Sequence, residues 1–184
     1  MTTALLVIDV QESFRARESW ETVSAPDIAE RIQPLVEAAR AAGHHVVWVL
    51  HTEPGTGDVF DPALGHVKLI EGLKPLDGEP VLHKTSHNAF TTTNLGQYLT
   101  AHGVTDVVVT GIRTEQCCET TARLASDLGY KVTFVLDATA TMPLERWDGG
   151  GTLSVYEVLM RTASALQGRF ADVVTYKDVL ASWP

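Results

Sequence analysis

Residues 107–122 read VVVTGIRTEQCCETTA: a β-branched apolar run, a glycine at 111, then a helical stretch opening on the chain's two cysteines, Cys117 and Cys118. A short apolar run that turns straight into a helix is the mark of a buried parallel strand with its crossover. The same rhythm repeats outward in both directions. Upstream, ALLVIDV (4–10) reads as a strand, and APDIAERIQPLVEAARAAG (25–43) as a helix with Ile28, Ile32, Leu35, Val36 and Ala39 on one face, stopping at Gly43. HVVWVLH (45–51) and EPVLHK (79–84) are the second and third strands, and TTNLGQYLTAHG (92–103) is a helix closed by Gly103. TDVVVTG (105–111) is the fourth strand and EQCCETTARLASDLG (115–129) its helix. Downstream, YKVTFVLDA (130–138) is the fifth strand, TLSVYEVLMRTASALQG (152–168) a long helix and ADVVT (171–175) a last short strand.

Strand and helix in repeated alternation predict an α/β fold of three layers, α/β/α, with a doubly wound, mainly parallel, Rossmann-like sheet of about six strands. The 184 residues show no repeat, low-complexity tract or linker, so one domain over 1–184 is expected. Two segments interrupt the rhythm, 52–79 and 139–151, and long connections of this kind tend to be binding loops or interface segments.

The composition is that of an ordinary globular protein, and the net charge of −9 with scattered basic residues argues against a nucleic-acid partner. No long apolar span is present and MTTALLVIDVQ enters a strand directly, so neither membrane nor secretion is expected and the cytoplasm is the expected compartment. Adjacent cysteines make a strained disulfide that ties nothing together, and no further cysteine completes a zinc site. The two thiols are therefore either buried filler or chemically active.

In an open parallel sheet, ligands bind beyond the carboxyl ends of the strands. Asp9, His51, Lys84, Arg113 to Cys117 and Asp137 fall at those ends. A thiol at a helix start is expected to have a lowered pKa, because free N–H groups and the helix dipole favour the thiolate. Asp9 is suited to take its proton and Lys84 to hold the charges, a nucleophile, base and cation in the general triad sense. Each has a plainer reading on its own: Asp9 as a cap or ion pair, Lys84 as a solvated strand end, the cysteines as packing residues, His51 as structural.

These segments resemble the isochorismatase-like cysteine hydrolases, the superfamily that includes nicotinamidases, N-carbamoylsarcosine amidohydrolase-type enzymes and isochorismatases. ALLVIDVQESF is similar to the family's D-x-Q-x-x-F opening, HKTSHNAFTTTNLGQYL to its K-x-x-x-x-A-F segment, and the opening stretch to G-[VI]-x-T-x-x-C-V-x-x-T-A. LQGRFADVVTYKDVL resembles its closing helix, strand and terminal helix. The resemblance carries catalytic roles onto Asp9, Lys84 and Cys117, and places Cys118 where a valine usually packs. It further implies a cis peptide just before Arg113, an oxyanion hole from the backbone N–H groups of Arg113 and Cys117, and a homodimer or homotetramer.

Two departures stand out. Arg113 replaces a small or apolar residue, and reads either as an anchor for a carboxylate or other anionic substrate group or as pointing outward to pair with Glu115, Glu119 or a neighbouring subunit. The D-x-H metal element of nicotinamidases is missing after the second strand: His51, Asp58, Asp61 and His66 are present but not at that spacing, so no metal and no cofactor are expected. The expected reaction is metal-independent cleavage of a non-peptide C–N bond in a small amide or carbamoyl compound. Gln11, Phe14, Trp48, His51, Phe90, Arg113 and Trp147 are the expected pocket residues. The alternatives are isochorismatase-type vinyl ether hydrolysis, which needs Asp9 and Lys84 but no nucleophile, a thiol redox protein, and a non-catalytic scaffold.

Overall fold

A computed structural model describes residues 2–183. The chain runs β1 (Thr2–Ile8), α1 (Glu12–Arg15), α2 (Ile28–Ala41), β2 (His45–His51), β3 (Val81–Lys84), α3 (Leu95–Ala101) and β4 (Val104–Ile112). It continues through α4 (Glu119–Asp127), β5 (Lys131–Ala140), β6 (Leu144–Glu145), β7 (Thr152–Leu153), α5 (Val155–Leu166), β8 (Asp172–Val174) and α6 (Tyr176–Ser182). Six parallel strands form one sheet in the order β3-β2-β1-β4-β5-β8, as the alternation of the sequence predicts.

The strand parity explains the two cores. Successive side chains of a strand point to opposite faces. Leu5 and Val7 of β1 therefore join Ile28, Ile32, Leu35, Val36 and Ala39 of α2 and Val179 of α6 on one face. Ala4, Leu6 and Ile8 join Leu95 and Leu99 of α3, Ala122 and Ala125 of α4 and Leu166 of α5 on the other. Because both faces are covered, β1 is buried from Ala4 to Ile8, which is why it reads as a continuous apolar run.

The order of the strands sets the site. From β1 the chain winds out to β2 and β3 on one side; β4, β5 and β8 build the other. The switch between β1 and β4 opens a crevice at their carboxyl ends. The two strands approach closely there: Ile8 pairs with Gly111, whose φ is +128°, and a Cβ on Gly111 would lie 1.9 Å from the Ile8 carbonyl oxygen. Only glycine fits. Gly111→Ala is expected to cost at least about 3 kcal/mol through overpacking against backbone, or roughly 6–12 °C of thermal midpoint for a chain of this size. A melt within about 2 °C of wild type would mean that β1 and β4 separate there without strain.

The helix expected over 115–129 begins differently from its expectation. Thr114–Cys118 forms a π-helical turn that leads into α4. The helix expected from 152 starts at Val155, because Ser154 closes a capping box with Glu157 and Thr152–Leu153 pairs instead with Leu144–Glu145 in a two-residue hairpin. Among the described residues no helix is long and apolar enough to cross a membrane.

Candidate active site

Three strand ends bring three chemical groups together. Asp9 follows β1 with φ +54°, the only positive φ of a non-glycine residue among the described residues. Aspartate tolerates this left-handed conformation better than most residues, and hydrogen bonds from its N–H to the Val49 carbonyl (2.8 Å) and from Gln11 N–H to its carbonyl (2.9 Å) hold it. Lys84 is the last residue of β3 and Cys117 lies in the π turn after β4. Lys84 Nζ is 2.7 Å from Asp9 Oδ2 and 3.3 Å from Cys117 Sγ. It also donates to the Ser86 carbonyl at 3.1 Å and lies 3.4 Å from His51 Nδ1. Asp9 and Lys84 are both fully buried, and Asp9 Oδ1 finds no hydrogen-bond partner among the described residues.

A buried ion pair of this kind is held by mutual dependence rather than by surplus stability. Burial pushes the Asp9 pKa up, against the lowering pull of Lys84. Lys84 is raised as well: burial works against its charge, but Asp9 and then Cys117 outweigh it. The thiol departs from expectation. Burial first, and then the Asp9 carboxylate, push Cys117 well above the ordinary thiol range, and Lys84 only partly offsets them. This balance favours the neutral thiol.

The peptide bond between Ile112 and Arg113 is cis. Arg113 turns its guanidinium to the wall: Nε is 3.1 Å from Glu115 Oε1 and Nη2 donates to the Met142 carbonyl at 3.3 Å. Cys118 is fully buried in the core facing α3, α4 and α5, and neither cysteine is bridged.

A cavity of about 100 Å³ opens over Asp9 and Cys117. Of the expected pocket residues, Phe14, His51 and Arg113 line it. Gln11 stands behind: it donates to Ser13 Oγ and the His51 carbonyl and accepts from the His51 N–H, clamping the end of β2 to β1. Three expectations are corrected. Trp48 sits in the α2-side core with its indole N–H donated to Glu79. Phe90 stacks against Tyr130, away from the cavity lining. Trp147 stands at the β6–β7 turn, 98% exposed.

Gln116, within the expected Arg113–Cys117 strand end, and four residues not anticipated complete the walls: Arg17, Glu53, Phe60 and His87. Phe60 meets Phe14 edge-on at 5.0 Å and His51 at 5.5 Å, with the Arg17 guanidinium 4.7 Å above its ring and held by Asp58 at 2.8 Å. Their only signal in the sequence is the length of the 52–79 connection and the charge pattern around it. Among the described residues no group of three His, Cys, Asp or Glu is arranged to hold a metal ion. Asp58 pairs with Arg17, Asp61 caps the turn at Pro62–Leu64, and His66 accepts from Ser13 through its carbonyl.

Comparison with known proteins identifies the family. The isochorismatase domain model matches residues 3–152. The isochorismatase family protein YddQ of Bacillus subtilis (strain 168) is 33% identical over 98% of this chain and 99% of its own. Ureidoacrylate amidohydrolase RutB of Methylorubrum extorquens is 27% identical over 98% of this chain and 84% of its own. The crystal structure of a cysteine hydrolase from Pseudomonas syringae pv. phaseolicola 1448A superposes with a TM-score of 0.88 at 30% identity, covering 97% of this chain and 91% of that one. With its fold and its sequence pointing the same way, the chain belongs to the isochorismatase family of hydrolases.

Proposed function

We propose that this hydrolase cleaves a non-peptide C–N bond in a small amide or carbamoyl compound, with Cys117 as nucleophile, Asp9 as proton carrier and Lys84 as the cation between them. The observation that carries this reading is the single ammonium in contact with both Asp9 and Cys117 at the sheet edge. As Sγ adds to the carbonyl carbon, Asp9 takes the thiol proton. When the C–N bond breaks, Asp9 gives that proton to the leaving nitrogen, and the amine departs. Water then adds to the thioester, Asp9 takes a proton from it, and Sγ recovers the proton as the C–S bond breaks and the acid leaves. A carboxylate with a raised pKa suits both halves, since it must accept and return one proton per step.

The backbone N–H groups of Arg113 and Cys117 are proposed as the donors for the oxyanion. A cavity of about 100 Å³ holds the equivalent of roughly three waters, which suits a compact amide head. The amidohydrolase among the relatives supports amide chemistry. The test is ammonia release from a panel of small primary amides and carbamoyl compounds. Release from at least one, lost in Asp9→Asn, is expected; a panel left untouched beside rapid hydrolysis of a vinyl ether would replace this reading.

A further inference from the structure

The cavity holds a histidine–carboxylate pair that the proposed chemistry leaves unused. His51 ends β2 with its side chain only 13% exposed, and its two ring nitrogens face different partners. Nδ1 lies 3.4 Å from Lys84 Nζ, and Nε2 lies 3.1 Å from Glu53 Oε1. An ammonium offers only donors and a carboxylate only acceptors. One neutral tautomer serves both neighbours: a bare Nδ1 facing Lys84 and an Nε2–H donated to Glu53. The other tautomer, or the imidazolium, turns an N–H toward the ammonium. The His51 backbone is fixed as well, since Gln11 receives its N–H (2.8 Å) and donates to its carbonyl (3.0 Å).

We propose that Glu53 and His51 are a positioning pair for Lys84: Glu53 selects the His51 tautomer, and the bare Nδ1 holds the ammonium between Asp9 and Cys117. This rests on the reading of Lys84 and Cys117 given under Proposed function. The ammonium's three protons are shared among four acceptors, Asp9 Oδ2, Cys117 Sγ, the Ser86 carbonyl and His51 Nδ1, at 2.7 to 3.4 Å. Reversing one contact redistributes the others, the thiol contact included.

The experiment uses wild type, Glu53→Gln and Glu53→Ala labelled with ¹⁵N-histidine, with His51 assigned by its missing signals in His51→Asn. Long-range ¹H–¹⁵N correlation reads the tautomer of His51, and peptide mass reads carboxamidomethylation of Cys117 by iodoacetamide in the same samples. Wild type and Glu53→Gln are expected to show the Nε2–H tautomer. Labelling should slow about tenfold in Glu53→Ala and stay within about threefold in Glu53→Gln, the scale of one hydrogen bond to a charged group. Melting midpoints should stay close to wild type, which a merely structural role would not allow. An Nδ1–H tautomer in wild type, or labelling of Glu53→Ala at the wild-type rate, overturns the proposal. If wild-type Cys117 labels no faster than Cys118, the proposed function falls and this falls with it; a failure confined to the Glu53 variants leaves that function standing.

Discussion

Cys117→Ala is expected to lower the hydrolysis of any amide the wild type turns over by at least about 10⁴-fold, the scale seen when the nucleophile is removed from a coupled nucleophile–base unit. The loss should appear in kcat, because in the proposed mechanism the thiol contributes to bond making and little to binding. Cys118→Ala is the internal control. Its side chain is fully buried in the core beneath the site, so that variant should keep its turnover within a few-fold and lose about 1 kcal/mol of stability. Initial rates of ammonia release for the two variants side by side check this. Comparable losses from both would mean that the pair acts through packing alone.

Lys84→Met is the second large effect, and it reaches both activity and stability. Methionine fills the space but leaves Asp9 buried without its counter-charge, a change that costs about 3–5 kcal/mol when one partner of a buried pair is removed. Turnover should fall at least about 10²-fold as the proton carrier loses its setting. The stability loss has a pH signature. Burial already raises Asp9 above its ordinary 3.8, and removing Lys84, which pulls it down, raises it further. A carboxyl raised on folding contributes stability that is fully present below its unfolded value and is lost as the pH rises through the folded one. The variant should therefore approach wild type in acid and fall away from it toward neutrality. Lys84 itself, raised above its ordinary 10.5, contributes throughout that range and is lost only in alkali. Thermal midpoints of both proteins from pH 4 to 8 give the answer, and a gap that does not widen with pH would contradict the buried charge pair.

The parts of the molecule that are legible in the sequence are those whose signal is local. β2 has the predicted bounds, His45–His51, because an unbroken apolar run between polar ends leaves little freedom. α2 shows its buried face in the spacing of Ile28, Ile32, Leu35, Val36 and Ala39. Asp9 and Lys84 are legible for the same reason: each directly follows or ends an apolar strand, and a parallel sheet gathers such ends at one edge.

What the sequence does not reveal depends on distant contacts or on burial. Phe60, Glu53 and Arg17 line the cavity because the 52–79 connection folds back over it, held by the Arg17–Asp58 pair and the bridge between Gln11 and Leu69. No spacing records that path. Trp48 misleads although its parity is visible: it shares a face with Val46, toward α2, and lies three residues short of the sheet edge. Trp147, expected at the pocket, lies at the outward tip of the β6–β7 hairpin, a placement set by the pairing of Leu144–Glu145 with Thr152–Leu153. The thiol's pKa goes the other way from its helix-start expectation. A helix dipole acts only within the first turn, whereas desolvation of a buried thiolate is the stronger effect, and only the packed structure reveals it.

The most direct test of the central claim needs no substrate. Wild type and Lys84→Met are treated with iodoacetamide at neutral pH, and the modified peptide is identified by mass. If the Lys84 ammonium beside Sγ is what offsets burial at Cys117, labelling falls on Cys117 and not on Cys118, and Lys84→Met slows it by at least about tenfold. Labelling on Cys118, or a Lys84→Met rate equal to wild type, would contradict the account.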